Sequence, residues 1–171
     1  VFVAIIDSAR PAILEGKQKS EDEFQQRIKT LFAVIIVLAL AQSAAITILA
    51  KPAIYILYGM EYTASISALR IIVWFSTFSY LGAVRDIWIL AEKKQQYLWI
   101  INLSGAMANV ILNAVLIPIY GVNGAAVASL ITQIFTNVIM GWIIRPISPC
   151  NRLMIHALNV NFIVSQIKKI R

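Results

Sequence analysis

Long apolar stretches alternate with short charged segments along this chain. Four of the stretches, at about residues 31–50, 63–90, 97–117 and 124–144, are each about twenty residues long or longer. About twenty helical residues at 1.5 Å rise cover a hydrocarbon core of about 30 Å. The pattern therefore predicts an all-α fold, a polytopic bundle with four transmembrane helices.

The segments that precede the first span predict how the chain enters the membrane. The opening apolar run stops at Ile6 and is too short to cross a bilayer, so residues 1–9 are expected to be the end of a truncated transmembrane helix of a longer protein. Residues 10–30 are predicted to be a polar cytoplasmic loop. Within it, Ser20 and Glu23 have the spacing of a capping box, which predicts a helix that starts there and runs into the first span.

Proline and glycine predict where the spans end. Lys51-Pro52 predicts a kink or an end of the first span, and Pro118 with Gly121 predicts the turn between the third and fourth spans. Residues 145–171 are predicted to be a cytoplasmic or interfacial basic tail. Its apolar part, Leu153 to Ile167, suits a helix that lies on the membrane surface.

Composition agrees with a membrane protein and narrows the possible functions. The chain is 60% hydrophobic and 13% charged, whereas soluble domains are about 45–50% apolar and about 25% charged. A single cysteine, Cys150, and a single histidine, His156, exclude an internal disulfide, a CxxC site and a His-rich metal site. No HExxH, GxSxG or GxxxxGK motif is present. We therefore expect a protein that is not an enzyme and that needs no cofactor or metal.

The positive charge predicts the orientation in the membrane. Of the fifteen Lys and Arg residues, twelve fall in segments 10–30, 91–96 and 145–171, and the opposite loops contain only Lys51. The positive-inside rule therefore predicts that these three segments are cytoplasmic. Because these cations flank apolar segments, they are expected to meet lipid headgroups, and nucleic-acid binding is not expected.

Ionisable residues inside the second span are the first candidates for function. Helical spacing puts Arg70, Trp74 and Arg85 near one face, and an arginine in a span suggests a substrate or ion pathway that could bind phosphate. The alternative is that each arginine snorkels to its nearer interface. Asp86 is a weak candidate for ion coupling, or it lies at the level of the headgroups.

Amide side chains in the third span are the second candidates. Asn102, Asn109 and Asn113 fall on one helical face with small residues, so this face is expected to point inward. They either join helices through hydrogen bonds or form the polar wall of a sugar-binding cavity. A stripe of small and hydroxyl residues in the fourth span is expected to pack against neighbouring helices. Its members are Gly124, Ala125, Ala128, Ser129, Thr132 and Thr136.

Five strings along the chain together resemble a known family. In order, they are Leu57-Tyr58-Gly59-Met60-Glu61-Tyr62, Ala68-Leu69-Arg70-Ile71, Ile89-Leu90-Ala91-Glu92-Lys93-Lys94-Gln95-Gln96-Tyr97, Asn109-Val110-Ile111-Leu112-Asn113, and Ile117-Pro118-Ile119-Tyr120-Gly121-Val122-Asn123-Gly124-Ala125-Ala126-Val127-Ala128-Ser129. Over about residues 5–144 the chain is similar to the C-terminal half of polysaccharide and O-antigen flippases of the multidrug/oligosaccharidyl-lipid/polysaccharide superfamily.

The resemblance implies a fragment of a two-lobed transporter with 12–14 helices in the bacterial inner membrane. Such proteins move undecaprenyl-pyrophosphate-linked oligosaccharides for surface polysaccharide synthesis. The implied partners are this lipid-linked oligosaccharide, membrane lipids, and polysaccharide polymerase and chain-length proteins. Arg70 and Arg85 then become candidates to line the cavity. Two other functions stay open: cation-coupled multidrug efflux within the same superfamily, and a membrane-embedded glycan polymerase or transferase.

Overall fold

The computed structural model describes residues 2–159 and residue 162, and helices account for nearly all of this part of the chain. A 3-10 turn follows α2, a π-helical segment interrupts the last long helix, and another 3-10 turn precedes α7. In chain order the elements are α1 (Phe2–Lys19), α2 (Glu21–Tyr58), the turn Met60–Tyr62, α3 (Ser65–Ala91), α4 (Gln96–Tyr120), α5 (Val122–Ile134), the π segment (Phe135–Ile139), α6 (Met140–Ile143), the turn Arg145–Ile147 and α7 (Ser148–Ala157).

Four helices of the described chain are long and apolar enough to cross a membrane, which confirms the predicted all-α membrane bundle. They are α2, α3, α4 and the continuous run Val122–Ile143, which joins α5, the π segment and α6. With 38 residues, α2 is about 57 Å long and so extends beyond a hydrocarbon core of about 30 Å. Its charged first turns therefore lie outside that core.

Within the segment predicted to be a loop, residues 10–19 are helical instead, and the helix predicted to start at Ser20 is present. Helix α1 continues through Pro11 to Lys19, and only Ser20 separates it from α2. Pairs one turn apart, such as Lys19 with Glu15 at 2.6 Å, support the helical conformation of this polar stretch. The predicted capping box is present, since the Ser20 hydroxyl accepts a hydrogen bond from the Glu23 N–H at 3.1 Å.

The first span does not end at Pro52, because helix α2 continues through this residue to Tyr58. Pro118 lies within the last turn of α4. The chain then turns at Gly121, as predicted, and the φ of +56° at this residue favours glycine. Part of the predicted surface helix, Leu153 to Ile167, lies outside the described residues. Its described portion belongs to α7, which packs against α2.

The main core lies toward one end of the bundle, where α1, α2, α3 and α7 meet. Phe24, Ile28 and Phe32 of α2 are fully buried there, against Val84 and other apolar residues of α3. Further along, α2 and α3 are joined by a polar contact, because the hydroxyls of Ser43 and Thr77 lie 2.9 Å apart. This contact sits deep in two membrane spans, where hydroxyl pairs contribute to helix association.

Three of the basic segments meet at the same end, which we call the charged end. Lys17 of α1 bonds to the carboxylates of Glu21 and Glu92, and so links the α1–α2 junction to the end of α3. Lys94 donates to the carbonyl of Pro146 at 2.9 Å, which links the α3–α4 turn to the segment before α7. Burial lowers the pKa of Lys17, but its hydrogen bonds to both glutamates outweigh that effect, and the net pKa is raised.

Candidate functional site

A polar cleft of about 530 Å³ lies between α3, α4 and the fourth span. Most of its lining is amide, hydroxyl, charged or small, although it is enclosed by membrane-spanning helices. Its polar lining residues are Ser79, Arg85, Asp86, Asn102, Asn109, Ser129, Thr132, Gln133, Thr136 and Asn137. Polar groups in hydrocarbon are costly unless they face a water-filled space or each other. This cleft, which we call the membrane cleft, is therefore the leading candidate for a binding site.

The membrane cleft begins near the charged end of the bundle. Arg85 lies six residues before the last residue of α3, and Asn102 lies six residues after the first residue of α4. Both are therefore about 9 Å from the connection between the two helices. Asn109 lies about two turns farther along α4, so the polar lining extends toward the middle of the spans.

Arg85 is the most deeply buried charge of the membrane cleft, with 4% of its surface exposed. Its Nη1 donates to the backbone carbonyl of Thr136 at 2.6 Å. Its Nη2 and Nε donate to Oδ1 of the neighbouring Asp86 at 2.9 and 3.2 Å. The Asp86 side chain remains 44% exposed. The pair is therefore neutral overall, and a carboxylate that is still accessible to water or a ligand lines the membrane cleft.

The π segment supplies the carbonyl that Arg85 binds. The N–H of Met140 donates to the carbonyl of Phe135, five residues back, and not to that of Thr136 as in an α-helix. The Thr136 carbonyl thereby loses that donor and accepts Arg85 instead. Two residues on, the carbonyl of Val138 accepts the buried amide of Asn151 from α7 at 2.7 Å. Side chains from two other helices thus hold the wide turn in place.

Two glycines allow the helices to approach closely around this turn. A Cβ at Gly82 of α3 would lie 2.3 Å from Oδ1 of Asn137, and one at Gly105 of α4 would lie 2.4 Å from Cγ2 of Thr136. Asn137 also donates to Oε1 of Gln133 at 2.5 Å, which restrains its amide. The missing side chains at Gly82 and Gly105 are therefore a packing requirement of the π segment.

The three asparagines of α4 divide between the two predicted roles. Asn113 donates to Asn109 at 2.9 Å, and Asn109 donates to the hydroxyl of Thr132 at 3.2 Å, so these two amides join α4 to α5. Asn102 is exposed and lines the membrane cleft. The small-residue stripe also packs as predicted, since Gly124, Ala128 and Thr132 are buried.

Arg70 and Trp74 are not among the residues that line the membrane cleft. Arg70 is exposed, and its Nε donates to the backbone carbonyl of Thr47 in α2 at 3.2 Å. Fifteen residues of helix separate Arg70 from Arg85, which is about 22 Å along the axis and about 60° around it. Arg85 is therefore buried within the bundle and Arg70 lies on its surface, and snorkelling of Arg70 to an interface stays a prediction.

Three further polar residues were not predicted, and the sequence contained a signal for two of them. Gln133 and Asn137 are amides one turn apart within an apolar span, and they hydrogen-bond to each other in the wall of the membrane cleft. That spacing alone predicts a polar helix face. Asn151, by contrast, lies in the tail, and its contact with Val138 depends on how α7 packs.

No family model, curated protein sequence or solved structure matches this chain. Within the described part of the chain, no group of three or more His, Cys, Asp and Glu side chains is placed to hold a metal ion. Every buried side-chain polar atom among the described residues has a hydrogen-bond partner. The chemistry of the site therefore rests on the arginine, the carboxylate and the amides of the membrane cleft.

Proposed function

We propose that the protein flips lipid-linked oligosaccharide, carried on undecaprenyl pyrophosphate, across the bacterial inner membrane by alternating access. The membrane cleft is the observation that carries this proposal. A cargo with a charged pyrophosphate and many hydroxyls needs a polar path through hydrocarbon. The sequence resemblance described above points to the same class of cargo.

The polar groups of the membrane cleft suit the two parts of such a cargo. A guanidinium has five N–H donors, and Arg85 uses three of them on Asp86 and Thr136. The remaining donors can bind a phosphate oxygen, and Asp86 can move away from Arg85 as the phosphate takes its place. Exposed amides such as Asn102 can donate to and accept from sugar hydroxyls.

The proposed orientation puts the charged end in the cytoplasm. Lys17, Lys94 and their neighbours then face the anionic leaflet, as the positive-inside rule requires. The membrane cleft begins near this end, so it would load cargo from the cytoplasmic leaflet. The π segment, an unusual turn held by side chains from α3 and α7, is the element that we expect to shift when the cleft changes its opening.

Deletion of the gene, with complementation by the full-length protein, tests this proposal. We expect surface polysaccharide to be lost and lipid-linked repeat units to accumulate in the cytoplasmic leaflet, measured by gel analysis of surface glycan and mass spectrometry of extracted lipids. Complementation should restore the surface polymer. Normal surface glycan and no accumulated repeat units in the deletion strain would refute the proposal.

A second candidate is cation-coupled efflux of drugs, and one observation favours it. Asp86 is a half-exposed carboxylate in the membrane cleft, and such a group can bind a coupling proton or cation. The same deletion strain separates the two candidates. Raised sensitivity to cationic dyes with unchanged polysaccharide would favour efflux and replace the flippase proposal.

A further inference from the structure

A second pocket lies at the charged end, apart from the membrane cleft. It has a volume of about 420 Å³ and is formed by the first turns of α2, the end of α3 and one face of α7. Three Lys and Arg residues are among those that line it, and we call it the cationic pocket. The residues that line it are Glu21, Gln25, Lys29, Trp88, Glu92, Lys94, Pro149, Arg152, Leu153 and His156.

The two carboxylates of the cationic pocket already have partners. Lys17 binds both Glu21 and Glu92, and Lys94 lies 3.7 Å from the other oxygen of Glu92. These lysines therefore offset the negative charge of the pocket. Lys29 and Arg152 add two positive charges that the carboxylates of the pocket do not offset.

Lys29 and Arg152 make no ion pair and no side-chain hydrogen bond with another described residue. They come from different helices, α2 and α7, and they line the same small volume. Arg152 is exposed, and its planar guanidinium can bind two oxygens of one phosphate, while Lys29 adds a point charge. Two unpaired cations that face one cavity favour an anion with several oxygens.

The cationic pocket also lies next to the start of the first membrane span, where lipid headgroups are expected. Lys29 precedes by two residues the uncharged stretch that begins at Leu31. Trp88 and Leu153, both buried, form an apolar part of the wall, and Lys94 sits 4.5 Å above the Trp88 ring. A site lined by both cations and buried apolar groups suits a molecule that is anionic at one end and apolar at the other.

We propose that the cationic pocket binds the phosphate of an anionic membrane lipid through Lys29 and Arg152. The lipid would connect α7 to α2, because the two cations belong to these helices. The site is separate from the membrane cleft, and it does not depend on the transport proposal. A soluble phosphate has the same recognition chemistry, and the experiment must distinguish the two sources.

Binding of phosphatidylglycerol to the purified full-length protein, measured by native mass spectrometry over a lipid titration, tests the proposal. Replacing both cations (Lys29→Gln with Arg152→Gln) is expected to weaken this binding roughly thirtyfold, since each basic residue at a membrane surface contributes a comparable share of the attraction. Phosphatidylcholine, which is zwitterionic, should bind the unaltered protein much more weakly. Inorganic phosphate at millimolar concentration should not displace phosphatidylglycerol.

The matched control removes the same number of charges at the opposite end of the bundle (Lys51→Gln with Arg70→Gln). It should bind phosphatidylglycerol as tightly as the unaltered protein does. Thermal melting of the test variant should stay near that of the unaltered protein, because Lys29 and Arg152 make no ion pair or side-chain hydrogen bond with another described residue. The control should change little as well, since Lys51 and Arg70 are exposed and each makes one weak contact. Equal weakening in the control, or no weakening in the test variant, would overturn the proposal. Full displacement by inorganic phosphate would overturn its assignment to a lipid.

Discussion

Replacing Arg85 by Met is expected to abolish transport and to lower the free energy of unfolding by about 2–3 kcal/mol. Methionine keeps much of the side-chain volume but removes the charge. The Asp86 carboxylate then loses its partner, and the Thr136 carbonyl, which does not accept the Met140 N–H, loses the hydrogen bond from Arg85. The expected cost stays below that of a fully buried ion pair because Asp86 is half-exposed.

The matched control for this prediction is Arg70→Met in the same span. Arg70 is exposed, and its side chain donates to one backbone carbonyl, that of Thr47 in α2. Its replacement should therefore change the free energy of unfolding by less than about 0.5 kcal/mol. Transport of lipid-linked oligosaccharide in proteoliposomes and chemical unfolding in detergent measure the two effects. Transport by the Arg85 variant at the rate of the Arg70 variant would show that the buried guanidinium has no role in moving cargo.

Gly82→Ala is expected to destabilise the protein by about 1–3 kcal/mol, because the new methyl group overpacks the contact between α3 and the π segment. The methyl group would lie 2.3 Å from Oδ1 and 2.7 Å from Cγ of Asn137. The hydrogen bond to Gln133 holds that amide in place. The two helices must therefore separate, or the amide pair must break.

A second variant, Asn137→Ala, shows whether the clash between the new methyl group and the Asn137 amide causes the loss of stability. The double variant removes the side chain that the methyl group would strike, so it should be more stable than the sum of the two single losses predicts. Unfolding of all four proteins in the same detergent gives the coupling energy. If the losses simply add, the methyl group at position 82 does not meet Asn137, and the packing described here is incorrect.

The sequence predicted the spans well because a membrane span depends mainly on length and apolar content. The four stretches could be recognised without knowing what each helix packs against. The cap at Ser20 was equally predictable, since its partner Glu23 is three residues away. Residues 10–19 were predicted to be loop but are helical, because local ion pairs support helix in a stretch whose polarity suggested a loop.

The details of the membrane cleft could not be predicted, because they depend on contacts between distant residues. Arg70 and Arg85 look alike in the sequence, and only the packing of α3 against α2 and the fourth span separates their environments. The π segment could not be predicted either, because the side chains that bond to its carbonyl groups, Arg85 and Asn151, belong to other helices. Periodicity within one helix contains no information about such contacts.

A cysteine accessibility experiment benefits from an inert native cysteine. Cys150 is buried, with 1% of its surface exposed, and burial raises the pKa of its thiol. A raised pKa leaves little thiolate, which is the reactive form. The native protein is therefore expected to react very slowly with maleimides, so that labelling reports on an introduced cysteine.

The central claim is that a polar, water-accessible cleft lies within the membrane spans. Labelling of Asn102→Cys and of its neighbour Leu103→Cys, in nanodiscs with a membrane-impermeant maleimide, tests this claim most directly. Both positions are exposed on α4, but Asn102 lines the membrane cleft and Leu103 does not. We predict rapid labelling at position 102 and little at 103, where lipid covers the side chain. Slow labelling at both positions, or equal labelling at both, would contradict the account.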